Sequence, residues 1–174
     1  MRWQAGLVLC GLLLAGCQRE AAQTPAPDEI MPMRAAGLWR QTVTADGTTK
    51  TMRICLDDQA ARRLNLLGDE LARFECPANR SWRDGDGWSF EHQCNMLSMG
   101  RQEVTGHVTG DLKRRFVMTA TSLIAGSEFA KANGRHQTRI EGVLEGPCPA
   151  GWRPGEVELG DGARFNVLNS RPVR

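Results

Sequence analysis

From Gly37 onward, apolar and polar residues alternate through most of the chain, the period of a β-strand with one buried face. Trp39 and Val43 share one face of the first run and Met52 and Ile54 one face of the second, with Asp46-Gly47 between them as a hairpin turn. The rhythm breaks from Asp57 to Leu71, where Ala60, Ala61, Leu64, Leu67 and Leu71 recur at helical spacing. Asp57 is a good N-cap for that helix, Asp58 suits the positive end of its dipole, and Gly68 can close it. Two alternating runs from Phe74 to Leu97 flank Asp84-Gly85-Asp86-Gly87, predicting a second hairpin. Its first strand presents Phe74, Cys76, Ala78 and Trp82 on one face, its second Trp88, Phe90, His92, Cys94 and Met96, with Trp82 expected beside Trp88.

Three further strands follow. Glu103 to Leu112 turns Val104 and Val108 inward, and Arg114 to Ile124 turns Phe116, Met118 and Ala120 inward. Arg135 to Glu145 sets His136, Thr138, Ile140 and Leu144 against Gln137, Arg139, Glu141 and Glu145. After Gly146-Pro147-Cys148-Pro149, the residues Val157, Leu159, Phe165 and Val167 around Gly160-Asp161-Gly162 suggest one last short hairpin. The expected fold is mainly β: an antiparallel meander sheet, curved or partly closed like a barrel, with one helix at about residues 57–71.

The front of the chain has a different texture. Arg2 gives a positive start, Ala5 to Gly16 carries no charge, and Leu14-Ala15-Gly16-Cys17 closes the run as a bacterial lipoprotein signal does. A bilayer span needs roughly 20 apolar residues, more than this run holds. The expectation is a signal peptide at 1–16, lipidation of the Cys17 thiol, and a membrane anchored through it. Gln18 to Arg34, with Pro25, Pro27 and Pro32 and no apolar period, is expected to be part of a disordered tether over 17–36. The β-rich domain then occupies 37–148 and a C-terminal extension 149–174. An aspartate after the lipidated cysteine commonly retains such proteins in the inner membrane; Gln18 stands there, so the outer membrane, facing the periplasm, is expected.

Cleavage after residue 16 leaves 158 of the 174 residues, enough for one domain with a core. Without Arg2, 21 Lys and Arg stand against 20 Asp and Glu, and the basic residues are scattered, which argues against nucleic acid as a partner. Cys10 leaves with the signal and Cys17 carries lipid, so Cys55, Cys76, Cys94 and Cys148 remain. An even set in an exported chain predicts two disulfides, and no Cys-x-x-Cys pair suggests zinc. Folding the second hairpin sets Cys76 across from Cys94; elimination then joins Cys55 to Cys148, although Cys55 falls off the Met52–Ile54 face.

No catalytic constellation emerges, and no cofactor or metal is expected. His92, His107 and His136 lack metal spacing, and Asp84 and Asp86 lack the pattern of a calcium loop. Ser98, Ser122 and Ser127 lie in no Gly-x-Ser-x-Gly elbow, and Asp57-Asp58 would repel a phosphate at the helix start. The inward series Trp39, Phe74, Trp82, Trp88, Phe90, Met96, Phe116 and Met118 suits core packing; with His92, the residues Trp39, Trp82, Trp88, Phe90, Phe116 and Met118 could instead line a cavity for an apolar ligand.

Gly37-Leu38-Trp39 opening a strand, Arg53-Ile54-Cys55-Leu56 running into a helix, the Cys76 to Cys94 hairpin with its tryptophan and a final Cys148 together resemble the exported proteins grouped as domain of unknown function 3617. The resemblance implies a periplasmic β-rich disulfide domain and carries over no activity or catalytic residue. Asp57 replaces a threonine common in the family, and the chain continues past Cys148, where many members stop. Three functions follow in order of expectation: docking of an envelope component, carriage or sensing of a small apolar molecule, and an unrecognised enzyme.

Overall fold

The computed structural model describes residues 28–64, 75–169 and 171–172, with backbone alone at 75–78 and 171–172. Ten antiparallel strands form one sheet: β1 (Gly37–Ala45), β2 (Thr48–Leu56), β3 (Glu75–Asp84), β4 (Gly87–Asn95), β5 (Arg101–Gly110), β6 (Arg115–Ala125), β7 (Gly134–Gly146), β8 (Glu156–Leu159), β9 (Arg164–Asn166) and β10 (Arg171–Pro172). The order across the sheet is β10-β9-β8-β2-β1-β7-β6-β5-β4-β3. The expected meander runs unbroken from β3 to β7. Its last strand returns beside β1, and β8 pairs with β2, so the β1–β2 hairpin is the middle of the sheet. The sheet curls around its core but does not close, leaving β3 and β10 at the edges.

Local chemistry accounts for the turns. Asp46 and Gly47 both have positive φ, 47° and 83°, as a two-residue hairpin matching the strand twist requires. Asp57 caps α1 (Asp58–Arg63), its carboxylate accepting from Ala60 N–H at 2.6 Å. Ala60 and Ala61 are the buried face of that helix. The expected continuation through Leu67, Gly68 and Leu71 lies outside the described residues.

Trp39, Phe90, Phe116, Leu56, Leu112 and Val108 are the largest fully buried side chains, and they fill the concave side of the sheet. Trp39 and Phe116 meet with ring centroids 5.5 Å apart. The inward residues expected on β5 and β6 are there: Val104, Val108, Phe116 and Met118 are buried and Ala120 packs against them. The chain past Cys148 forms the expected hairpin as β8 and β9, and joins the same sheet.

Two expectations need correction. The pairing of β3 with β4 sets Arg83 opposite Trp88 and Trp82 opposite Ser89, not Trp82 beside Trp88. The register then shifts between Glu75 and Ala78, a bulge that absorbs one residue. Pairing with Ser89 puts Trp82 on the polar side of the sheet, while Trp88, Phe90, His92 and Cys94 stay with the core. The second correction concerns the tether: from Asp28 it is laid on the fold. Glu29 N–H donates to the Ser81 carbonyl at 2.6 Å, Ala35 N–H to the Leu112 carbonyl at 3.1 Å, and Trp39 Nε1–H to the Ala35 carbonyl at 2.8 Å. Arg34 is buried and donates to the Leu64 carbonyl, and burial pulls its guanidinium down to about 10. Composition concealed this docking because the arm buries few apolar side chains and is held mainly by hydrogen bonds.

Cys55 and Cys148 are bonded across 93 residues, their Cα atoms 5.5 Å apart, as elimination had it. Cys94 is also disulfide-bonded. The side chain of Cys76, its expected partner, lies outside the described set.

Candidate functional site

The seven residues expected to line a ligand cavity do not act as one group. Trp39, Trp88, Phe90, His92, Phe116 and Met118 are buried together, and Trp82 stands on the other face. None of the seven lines either of two cavities found on the surface of the described residues. One is a pocket of about 280 Å³ between the arm at 28–34 and Ala61, Asn79 and Ser81. The other is an open trough of about 930 Å³ on the polar face, crossing β1, β5, β6 and β7.

The histidines occupy three different environments. His92 is buried and lies parallel to Phe90, with its Nδ1 lacking a hydrogen-bond partner among the described residues; burial holds its pKa below the usual value. His136 has both ring nitrogens on acceptors, Nδ1 on Asp46 Oδ2 at 2.7 Å and Nε2 on the Ala132 carbonyl at 2.9 Å. Those hydrogen bonds, led by the one to Asp46, raise the pKa of His136. Asp46 also accepts from Gln137 N–H at 2.9 Å, and its own pKa is lowered, first by that backbone bond and then by His136. Neither nitrogen of His136 is left to take a proton from a substrate.

His107 belongs to a serine, histidine and aspartate cluster that no sequence motif announces. Ser89 Oγ donates to Asp84 Oδ2 at 2.6 Å and lies 3.0 Å from His107 Nδ1. A nucleophilic serine needs a basic nitrogen on one side of the imidazole and the carboxylate on the other. Here both partners crowd Nδ1, with Asp84 3.7 Å from it, and Ser89 is buried. The hydroxyl proton, spent on the carboxylate, leaves Oγ to accept from an Nδ1–H. The cluster braces the β3–β4 turn against β5. Only the cross-strand register brings these residues together, Ser89 opposite His107, so no local spacing could have revealed them.

An exposed apolar group was also missed. Leu97, Met99, Leu123 and Phe129 are exposed, at 87%, 42%, 42% and 61%. A hydrogen bond from Glu128 N–H to the Ser98 carbonyl, 2.9 Å, joins the loop before β5 to the loop after β6 and gathers these residues at one end of the sheet. Each is isolated in sequence, and the first two sit where the strand alternation has ended. Among the described residues, no group of three or more His, Cys, Asp or Glu could hold a metal, and no helix is long and apolar enough to cross a membrane.

The scaffold that carries these features is a curled antiparallel sheet fixed by disulfides, with a docked N-terminal arm. The family model described as protein of unknown function (DUF3617) matches residues 34–148, about two thirds of the chain, and the protein belongs to that family. The match begins at the buried Arg34 and ends at the disulfide-bonded Cys148. No curated protein and no solved structure matches the chain.

Proposed function

We propose that this protein is a non-enzymatic lipoprotein, anchored through Cys17 in the outer membrane and facing the periplasm, that docks an envelope protein with the far end of its sheet. The observation that carries the reading is the grouping of exposed Leu97, Met99, Leu123 and Phe129 at one end. The arm crosses the opposite end, where Glu29 meets Ser81 close to the β3–β4 turn. At about 3.4 Å per residue, β4 separates the two ends by about 30 Å. An anchor ahead of the arm would join the fold on the side away from the apolar end. A photo-crosslinking residue at Phe129 or Leu97 is expected to trap one discrete envelope protein in cells, while the same residue at Lys113, on the arm's end, traps none. Equal or absent adducts at all three positions would end the proposal.

A carrier of a small apolar molecule is the second reading, favoured by the 280 Å³ pocket under Ile30, Met31 and Met33. That volume sits at the lower edge of small-molecule sites, at about 300 Å³. Native mass spectrometry of protein extracted from envelopes would show a bound mass that disappears when Ala61 is enlarged to Phe.

A further inference from the structure

We propose that the polar face of the sheet, from Trp82 to the trough over β5, β6 and β7, binds an acidic oligosaccharide. The site adjoins the apolar end, where Leu123 pairs with Arg135 across β6 and β7, but its polar groups do not depend on that end and the proposal stands whether or not the end docks a partner.

Trp82 is the first reason. The two-residue turn at Gly85-Asp86 pairs Trp82 with Ser89, and so sets the indole on the side of the sheet opposite Trp88 and Phe90. The core has no need of it, since Trp39, Phe90 and Phe116 are already fully buried. Trp82 remains only half-buried, with the Arg80 guanidinium 5.8 Å from its ring centroid. The apolar face of a sugar ring stacks on an indole left partly open to solvent.

The ladder supplies the second reason. Directly paired positions run Trp82, Ser89, His107, Thr119, Arg139 and Thr44 across six strands. Adjacent strands lie about 4.8 Å apart, so Trp82 stands about 10 Å from the His107 position, where the trough begins. Thr44, Thr105, Thr119 and Thr121 bring hydroxyls to the trough, and Gln137 brings an amide. These groups exchange hydrogen bonds with hydroxyls in either direction.

Charge gives the ligand its sign. Arg135 and Arg139 line the trough, and among the described residues Arg135 has no ion-pair partner. Arg139 gives its Nε to Glu141 at 2.9 Å, which leaves its terminal nitrogens for a carboxylate. The acid in the lining, Asp46, is already committed to His136 and to Gln137 N–H. The trough is open along the sheet, which suits a chain of sugars laid across it better than an enclosed small molecule.

The test is calorimetric titration of the full-length protein with a galacturonic acid oligomer. A neutral cello-oligosaccharide of equal length, inorganic phosphate and phosphatidylglycerol vesicles serve as comparisons. Saturable binding of the acidic oligomer is expected, at least about tenfold weaker for the neutral one. Trp82→Ala and the double variant Arg135→Ala/Arg139→Ala should each weaken it by at least about tenfold, the scale of one lost charged hydrogen bond. The arginine pair lies on the surface, so its variant keeps the test open if Trp82→Ala fails to fold. Absent binding, equal binding of the neutral oligomer, or unchanged affinity in the arginine variant would overturn the proposal. So would full displacement by phosphate, which would mark a bare anion site, or equal binding of the vesicles, which would mark a lipid surface.

Discussion

Phe116 lies directly across the ladder from Gly142, and its ring fills the space a side chain there would need: a Cβ on Gly142 would meet Phe116 Cε1 at 2.0 Å. Phe90 stands in the same relation to Gly106, whose Cβ would lie 2.3 Å from Phe90 Cζ. Each aromatic covers a glycine on the neighbouring strand, which lets large rings lie flat in a curled sheet. Gly142→Ala should therefore destabilise the protein by about 1 to 3 kcal/mol, the usual penalty of overpacking. Adding Phe116→Leu should recover part of that loss, and urea denaturation of the two single variants and the double variant would measure the coupling.

The Cys55–Cys148 bond closes a span of 93 residues and ties β2 to the segment leading into β8. In the chain-entropy account such a closure is worth about 4 to 5 kcal/mol. The variant with both cysteines changed to alanine is expected to lose about 2 to 5 kcal/mol, with the lower urea midpoint as the readout.

His136 and Asp46 make stability depend on pH with opposite signs. The folded pKa of His136 is raised above its ordinary 6.5, so the pair's contribution is full below that value and is lost as pH rises through the folded one. Asp46 is depressed below 3.8, so its share is present above that value and is lost as pH falls through the folded one. The contribution should peak between these limits. Denaturant midpoints for Asp46→Asn should fall furthest below those of the parent protein between these limits and approach them as pH falls through the folded pKa of Asp46, and imidazole titration by NMR should place the His136 transition above 6.5.

Opposite behaviour is expected of His92. Burial lowers its pKa, so the unfolded chain takes up a proton first and stability falls as pH drops from 6.5 toward the folded value. His92→Leu removes that liability along with an Nδ1 that has no partner among the described residues. It should match or exceed the parent at pH 7 by up to about 1 kcal/mol and lose less between pH 7 and 5. A steeper acid loss in the variant would contradict the reading.

Parity along the strands was legible because each has one buried face: Val104 and Val108, or Phe116 and Met118, could point only one way. Asp46-Gly47 and the Asp57 cap were legible because their chemistry is local. The bulge on β3 was not, since a period of two reads the same on either side of a one-residue slip. The return of β7 to β1 depends on partners about 100 residues apart, such as Thr42 and Glu141, and no window of sequence contains both. The Ser89 cluster, the threonine and arginine trough and the Leu97–Phe129 end were hidden for the same reason. They are made by register and by loops meeting in space.

The clasp between Glu29 and Ser81 has a mechanical consequence. A pull applied ahead of Asp28 reaches that clasp before it reaches any strand of the sheet, and the arm's hydrogen bonds at Ser81, Leu112 and Trp39 are strung along the chain to be loaded one after another. Tension would peel the arm away as a sacrificial fuse, uncovering the pocket beneath it while the bonded Cys55–Cys148 frame behind stays whole.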